Sequence, residues 1–124
     1  MIVYTGAGTV CVPLPPSTNN LYTRGRGHGK RVMSGEYRKW LDVAVPLLRT
    51  HAKIESYPVH AELVIEEKLS GTSDIDNRIK AVLDAAKKAG VIIDDNRSCV
   101  TKVSIEYRPH DLGSGVLVSF KERC

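Results

Sequence analysis

Between Val59 and Lys68 the apolar residues take alternate positions. Val59, Ala61, Leu63 and Ile65 alternate with His60, Glu62, Val64 and Glu66. A period of two predicts a strand with one buried face. The period then changes. Ile79, Val82, Leu83 and Ala86 recur at helical spacing, and Gly90 stands where a helix over Asp76 to Ala89 would stop. A chain that switches period in this way must lay helices on a sheet. The remaining segments fit that constraint. Tyr37, Trp40, Leu41, Ala44, Val45 and Leu48 predict a buried stripe on an earlier helix, Gly35 to Ala52, capped by Ser34 and kinked by Pro46. Val10 to Leu14, Val91 to Ile93, Cys99 to Arg108 and Val116 to Lys121 predict further strands, with Pro15-Pro16 ending the first. The expected architecture is an α/β (α+β) two-layer sandwich: a small mixed sheet with two main helices packed against it.

A length of 124 residues predicts a single domain over 1–124. A 42% hydrophobic share is enough for a small core without disulfides or metal staples. No apolar run approaches the roughly 18 residues that a membrane span needs. Met1 to Gly6 has neither the basic start nor the apolar stretch of a signal peptide. Cys11, Cys99 and Cys124 are widely spaced, with no Cys-x-x-Cys pair, and read as reduced thiols. A cytoplasmic protein is expected. Trp40 could stack on a base, but a lone Trp in an amphipathic stripe reads as core.

Net charge is +4, mild grounds for a polyanionic partner. Its distribution says more. Arg24-Gly25-Arg26-Gly27-His28-Gly29-Lys30-Arg31 interleaves four fixed positive charges with three glycines and has no apolar side chain to pin it. The segment 24–31 is expected to be a flexible basic loop. It is either an arm that grips a phosphate backbone or a solvated surface loop.

Asp74-Ile75-Asp76, read as extended, turns both carboxylates to one side, because residues two apart share a face. Asp94 and Asp95 follow about twenty residues later. The intervening helix, at ~1.5 Å per residue, carries the chain roughly 20 Å away. An extended return from Ala89 to Asp94, at ~3.3 Å per residue, recovers about 16 Å. The acids are therefore expected to meet near the helix start. Lys80, one turn after Asp76, would point at whatever they hold. Carboxylate oxygens suit Mg²⁺, a hard cation able to activate water and neutralise a phosphate.

A plainer reading stands beside this one. Asp76, Lys80, Asp84 and Lys88, spaced by four, could be a salt-bridge ladder on a solvated face. Asp74 or Asp76 could cap the helix, and Asp94-Asp95-Asn96 could simply be a turn. Spacing alone favours the ladder.

The run Asp74-Ile75-Asp76-Asn77-Arg78-Ile79-Lys80-Ala81-Val82-Leu83-Asp84-Ala85, followed by Lys88-Ala89-Gly90-Val91 and Asp94-Asp95, resembles the signature of the RusA family of Holliday junction resolvases. Pro13 to Tyr22, with the glycine- and arginine-rich segment after it, is similar to the family's opening. The resemblance implies a homodimeric, Mg²⁺-dependent enzyme that nicks four-way DNA junctions symmetrically in recombination and repair, often encoded by a phage or prophage. Asp74, Asp76 and Asp95 match the metal-binding acids and Lys80 the essential basic residue, with Asn77 and Asp94 as supports. Ser70-Gly71-Thr72-Ser73 is neutral where some relatives are basic, and Leu83 stands where an aromatic occurs in at least one. These departures bear on junction sequence preference. After Tyr107 the resemblance is weak and supports only the fold.

The expected function is therefore a structure-selective endonuclease. Asp74, Asp76, Lys80 and Asp95 are catalytic, and Arg24, Arg26, Lys30, Arg31 and Arg78 bind DNA. Mg²⁺ is the cofactor, with Mn²⁺ as a substitute, and no organic cofactor or membrane is involved. Cleavage would leave a 5′-phosphate and a 3′-hydroxyl. A two-fold junction needing two matched cuts suits a two-fold dimer. The strand after Asp95 and the stripe near Trp40 are the candidate dimer surfaces. Rival readings are a Mg²⁺ nuclease acting on other branched or duplex DNA, and a junction-binding protein that does not cut. A pure binder has no need of clustered acids, which repel phosphate.

Overall fold

A computed structural model describes residues 8–17, 21–24, 31–67, 78–109 and 114–122. In chain order these form β1 (Thr9–Val12), β2 (Tyr22–Arg24), β3 (Arg31–Met33), α1 (Gly35–Leu48), β4 (Val59–Glu67), α2 (Ile79–Lys88), β5 (Val100–Pro109) and β6 (Gly115–Glu122). Four strands make one mixed sheet in the order β1-β6-β4-β5. The β4–β5 pair is parallel, and the other two pairs are antiparallel. A parallel pair joined in sequence needs a crossover, which α2 supplies. The expected α+β arrangement of two helices and a small mixed sheet is observed.

The alternation in β4 fixes the register. Val59, Ala61, Leu63 and Ile65 are buried, and the residues between them are half-buried. Leu63 lies beside Val118 of β6 and Ile105 of β5, while Val118 lies beside Val10 of β1. Ile65 begins a second such row, through Val116 to Val12 and across to Tyr107. These rows form the inner face, which shares one core with Tyr37, Trp40, Leu41, Ala44 and Leu48 of α1 and Ala81, Val82, Leu83, Ala85 and Ala86 of α2.

The Ser34 hydroxyl caps α1, accepting from the Tyr37 amide at 3.1 Å. The helix stops at Leu48, four residues short of the Ala52 expected from the sequence. The turn tightens there, with the Thr50 and His51 amides donating to the Leu47 and Leu48 carbonyls. Pro46 lies inside the last turn, where it donates no hydrogen bond. Trp40 is core: it is 6% exposed, and its Nε1 donates to the Pro13 carbonyl at 2.8 Å. The buried residues of the stripe around it pack into the chain's own core. β5, the other candidate surface, is an edge strand of the sheet, and its inward-facing Val103 is 37% exposed.

Two local expectations change. Val91 to Ile93 is a loop rather than a strand. Its backbone bonds to partners outside any ladder: Val91 bonds to Ile54 and Ala86, and the Ile93 amide donates to the Tyr57 hydroxyl at 2.7 Å. The segment 24–31 does not begin and end as loop. Arg24 and Arg31 face each other across the two-stranded β2–β3 pair. Arg26 and Lys30, between them, lie outside the described residues, as do Asp74, Asp76 and Asn77. Among the described residues, no helix is long and apolar enough to cross a membrane.

Candidate active site

The described part of the site is built on α2 and on the loop that follows it. One face of α2 is covered by α1 and the sheet, and Lys80 and Asp84 sit one turn apart at its edge. Their ion pair measures 3.6 Å, from Lys80 Nζ to Asp84 Oδ2. Lys80 is 53% exposed, whereas Asp84 is only 17% exposed. The same Asp84 oxygen accepts a hydrogen bond from the Tyr37 hydroxyl at 3.1 Å. Tyr37 itself is fully buried. Burial first, then the Asp84 charge and hydrogen bond, push its phenol pKa far above the ordinary value. It therefore stays a neutral donor.

The loop after α2 returns beside the helix. Asn96 organises it: its Oδ1 accepts from the Ser98 amide at 3.0 Å and from the Cys99 amide at 3.2 Å. Asp94 Oδ1 accepts the Asp95 amide at 2.8 Å, and Asp94 Oδ2 accepts from Asn96 Nδ2 at 3.1 Å. This is the turn chemistry that the Asp-Asp-Asn run offers. It also aims two carboxylates in different directions. Asp94 turns to Lys87, at 3.2 Å. Asp95 lies close enough to Asp84 for the two carboxyls to interact electrostatically.

The two acids are tuned oppositely. Hydrogen bonds from the Asp95 amide and from Lys87 hold Asp94 below the usual carboxylate range. Burial first, then the neighbouring Asp84 and Asp94 carboxyls, push Asp95 above it. The difference follows from their partners: Asp94 accepts hydrogen bonds at the surface, and Asp95 is turned inward towards another carboxyl.

The return brings Asp95 into the electrostatic neighbourhood of Asp84, in the middle of α2, with Val91 and Ile92 of the return buried in the core. Asp74 and Asp76, which Asp95 is expected to meet, lie outside the described residues. Asp84, set aside from the sequence as a ladder rung, is thus the residue that joins Lys80 to Asp95. The rung exists, but it is also a junction between two helices and a loop. Its only local sign is its place between the buried Leu83 and Ala85, at the edge of the apolar face. Its partner Tyr37 lies 47 residues away.

Arg78, expected to bind DNA, has partners within the chain. It is 13% exposed and donates to the Pro15 carbonyl at 2.5 Å and to Glu67 at 3.5 Å. It fastens the start of α2 to the segment after β1 and to the end of β4.

The sequence model of the endodeoxyribonuclease RusA family matches residues 13–119, so the match takes in the acidic run, the return loop and all of β5. The chain belongs to the RusA family. The match runs well past Tyr107, so the distal segment carries more of the family pattern than its residues suggest by inspection. A RusA domain spanning nearly the whole chain brings endodeoxyribonuclease activity of the junction-resolving kind as the family's function. A search among curated proteins finds no match to the chain.

Proposed function

We propose that this RusA-family chain is a Mg²⁺-dependent endonuclease that resolves four-way DNA junctions by paired symmetric nicks. The observation that carries the reading is the family match over 13–119, which includes every member of the acidic constellation. Asp84, which interacts with Asp95 and pairs with Lys80, supports it by linking the two expected site residues.

Asp74, Asp76 and Asp95 would hold the metal, with Asn77 and Asp94 as supports. The donor set fits a hard cation, since carboxylate oxygens are what Mg²⁺ takes. Among the described residues no group of three His, Cys, Asp or Glu side chains could hold a metal ion alone. A centre on Asp95 therefore needs acids from outside them, which is where Asp74 and Asp76 lie. The bound ion would supply a nucleophilic water and neutralise charge on the phosphate.

The chain's own side chains do the rest. Asp95 sits among neighbouring acids, so a cation bound there would relieve their repulsion and keep its carboxylate ionised. Lys80 places an ammonium beside the scissile phosphate, where negative charge builds in the transition state. Arg24, Arg26, Lys30 and Arg31 grip the phosphate backbone without reading sequence. A homodimer acting in the cytoplasm of a bacterium or phage-infected host would present two such sites to the two-fold junction.

The test is a cleavage assay on a synthetic four-way junction, next to linear duplex and flap controls, with Mg²⁺ or EDTA. The junction should be nicked in symmetric pairs, leaving 5′-phosphates, only with the metal. A junction that is bound but left whole removes the enzyme reading, and equal cutting of linear duplex removes junction selectivity.

A further inference from the structure

We propose that Asp84, anchored by the Tyr37 hydroxyl, is the positioning residue that holds Lys80 for the cleavage reaction. The inference rests on the nuclease reading above and assigns Asp84 and Tyr37 a part in it.

A lysine on a helix surface is poorly placed to act at a defined point. Its ammonium sits on four rotatable bonds, and an exposed partner one turn away moves as freely as it does. Asp84 is not such a partner. It is only 17% exposed, and its Oδ2 takes the Tyr37 hydroxyl at 3.1 Å and Lys80 Nζ at 3.6 Å. Tyr37 is immobilised in turn. It is fully buried on α1, with Tyr22 edge-on at 5.9 Å and Trp40 stacked at 6.2 Å. The hydroxyl is therefore fixed by the core, the carboxylate by the hydroxyl, and the ammonium by the carboxylate. That chain ends where the Asp95 loop returns to α2. Lys87, the other paired lysine of the helix, has no such support: it and Asp94 are 49% and 36% exposed.

A purely structural role, tying α1 to α2, would give the same contacts. The two are separated by Asp84→Asn and Tyr37→Phe in the full chain, both near-isosteric, each made alone and with Lys80→Ala. In single-turnover cleavage of a four-way junction at saturating protein, each single change should slow cutting at least about tenfold while junction affinity holds. In the Lys80→Ala background neither should cost anything more, because the group they position is gone. A cost of equal size in both backgrounds, which would mean action through Asp95 or through stability, overturns the proposal. A second readout needs no activity. NMR relaxation at the Lys80 side-chain carbons of the free protein should show more order than Lys87, and that order should fall to the Lys87 level in both variants. Unchanged Lys80 order in Asp84→Asn overturns the proposal too. If the unaltered chain fails to cut the junction while Lys80 order responds as expected, the nuclease reading fails and the positioning contact stands.

Discussion

Helix α2 carries two lysine–aspartate pairs that look alike on paper and differ in what lies under them. Lys80–Asp84 spans one helical turn, and Lys87–Asp94 joins the helix end to the return loop, at 3.6 and 3.2 Å. The shorter pair is the less consequential. Both of its members face solvent, where an ion pair contributes little and is screened by salt. The longer pair rests on a carboxylate that is half-withdrawn from water and fixed by a core hydroxyl. Distance between charges does not rank these pairs; the burial of the acid and its anchoring do.

The same contrast separates the adjacent acids of the return loop, and it can be broken at that point. Asp95→Asn should abolish Mg²⁺-dependent junction cleavage, a loss of at least about a thousandfold in rate, while junction binding persists. Asp94→Asn keeps an oxygen that can accept the Asp95 amide, so cleavage should fall only severalfold. Rates measured side by side in gel assays check this. Equal losses would mean that the two carboxylates share one role.

A smaller effect, of opposite sign at the two positions, should appear in stability. A carboxyl whose folded pKa is raised destabilises the fold once pH rises past its unfolded value, and the penalty is absent below that value. Asp95 is that case. A carboxyl whose folded pKa is lowered stabilises the fold above its unfolded value, and loses this as pH falls through the folded one. Asp94 is that case. In EDTA at neutral pH, Asp95→Asn should therefore raise Tm and Asp94→Asn lower it slightly, the exposed Asp94 showing the smaller change. The Asp95→Asn gain should vanish in acid, below the ordinary carboxylate range. Thermal melts across pH check both signs, and a fall in Tm for Asp95→Asn at neutral pH would contradict the crowding of Asp95 by Asp84.

The comparison also explains what could be read before folding was known. The strands β4 and β6 and the helix α1 were legible because burial repeats along them at a period that each residue states locally. The β2–β3 pair was not. Three residues a side leave no period to detect, and the arginines at its inner ends read as loop. Val91 to Ile93 has strand composition, but Ile54, Ala86 and Tyr57 satisfy its backbone, and none of them adjoins it in sequence. The site divides in the same way. Asp95 and Lys80 follow from motif and chain geometry. Asp84 does not, because its meaning lies in Tyr37, and a spacing of four from two lysines gives every local reason to see a surface rung.

The central claim is that only the anchored pair serves the cutting reaction, and single-turnover cleavage of a four-way junction by Lys80→Ala and Lys87→Ala tests it directly. Both changes remove one ammonium from the same helix. Lys80→Ala should slow cutting by roughly 10²–10³-fold, the usual cost of a lost transition-state contact, and Lys87→Ala should leave the rate unchanged. Equal rates for the two variants would contradict the account.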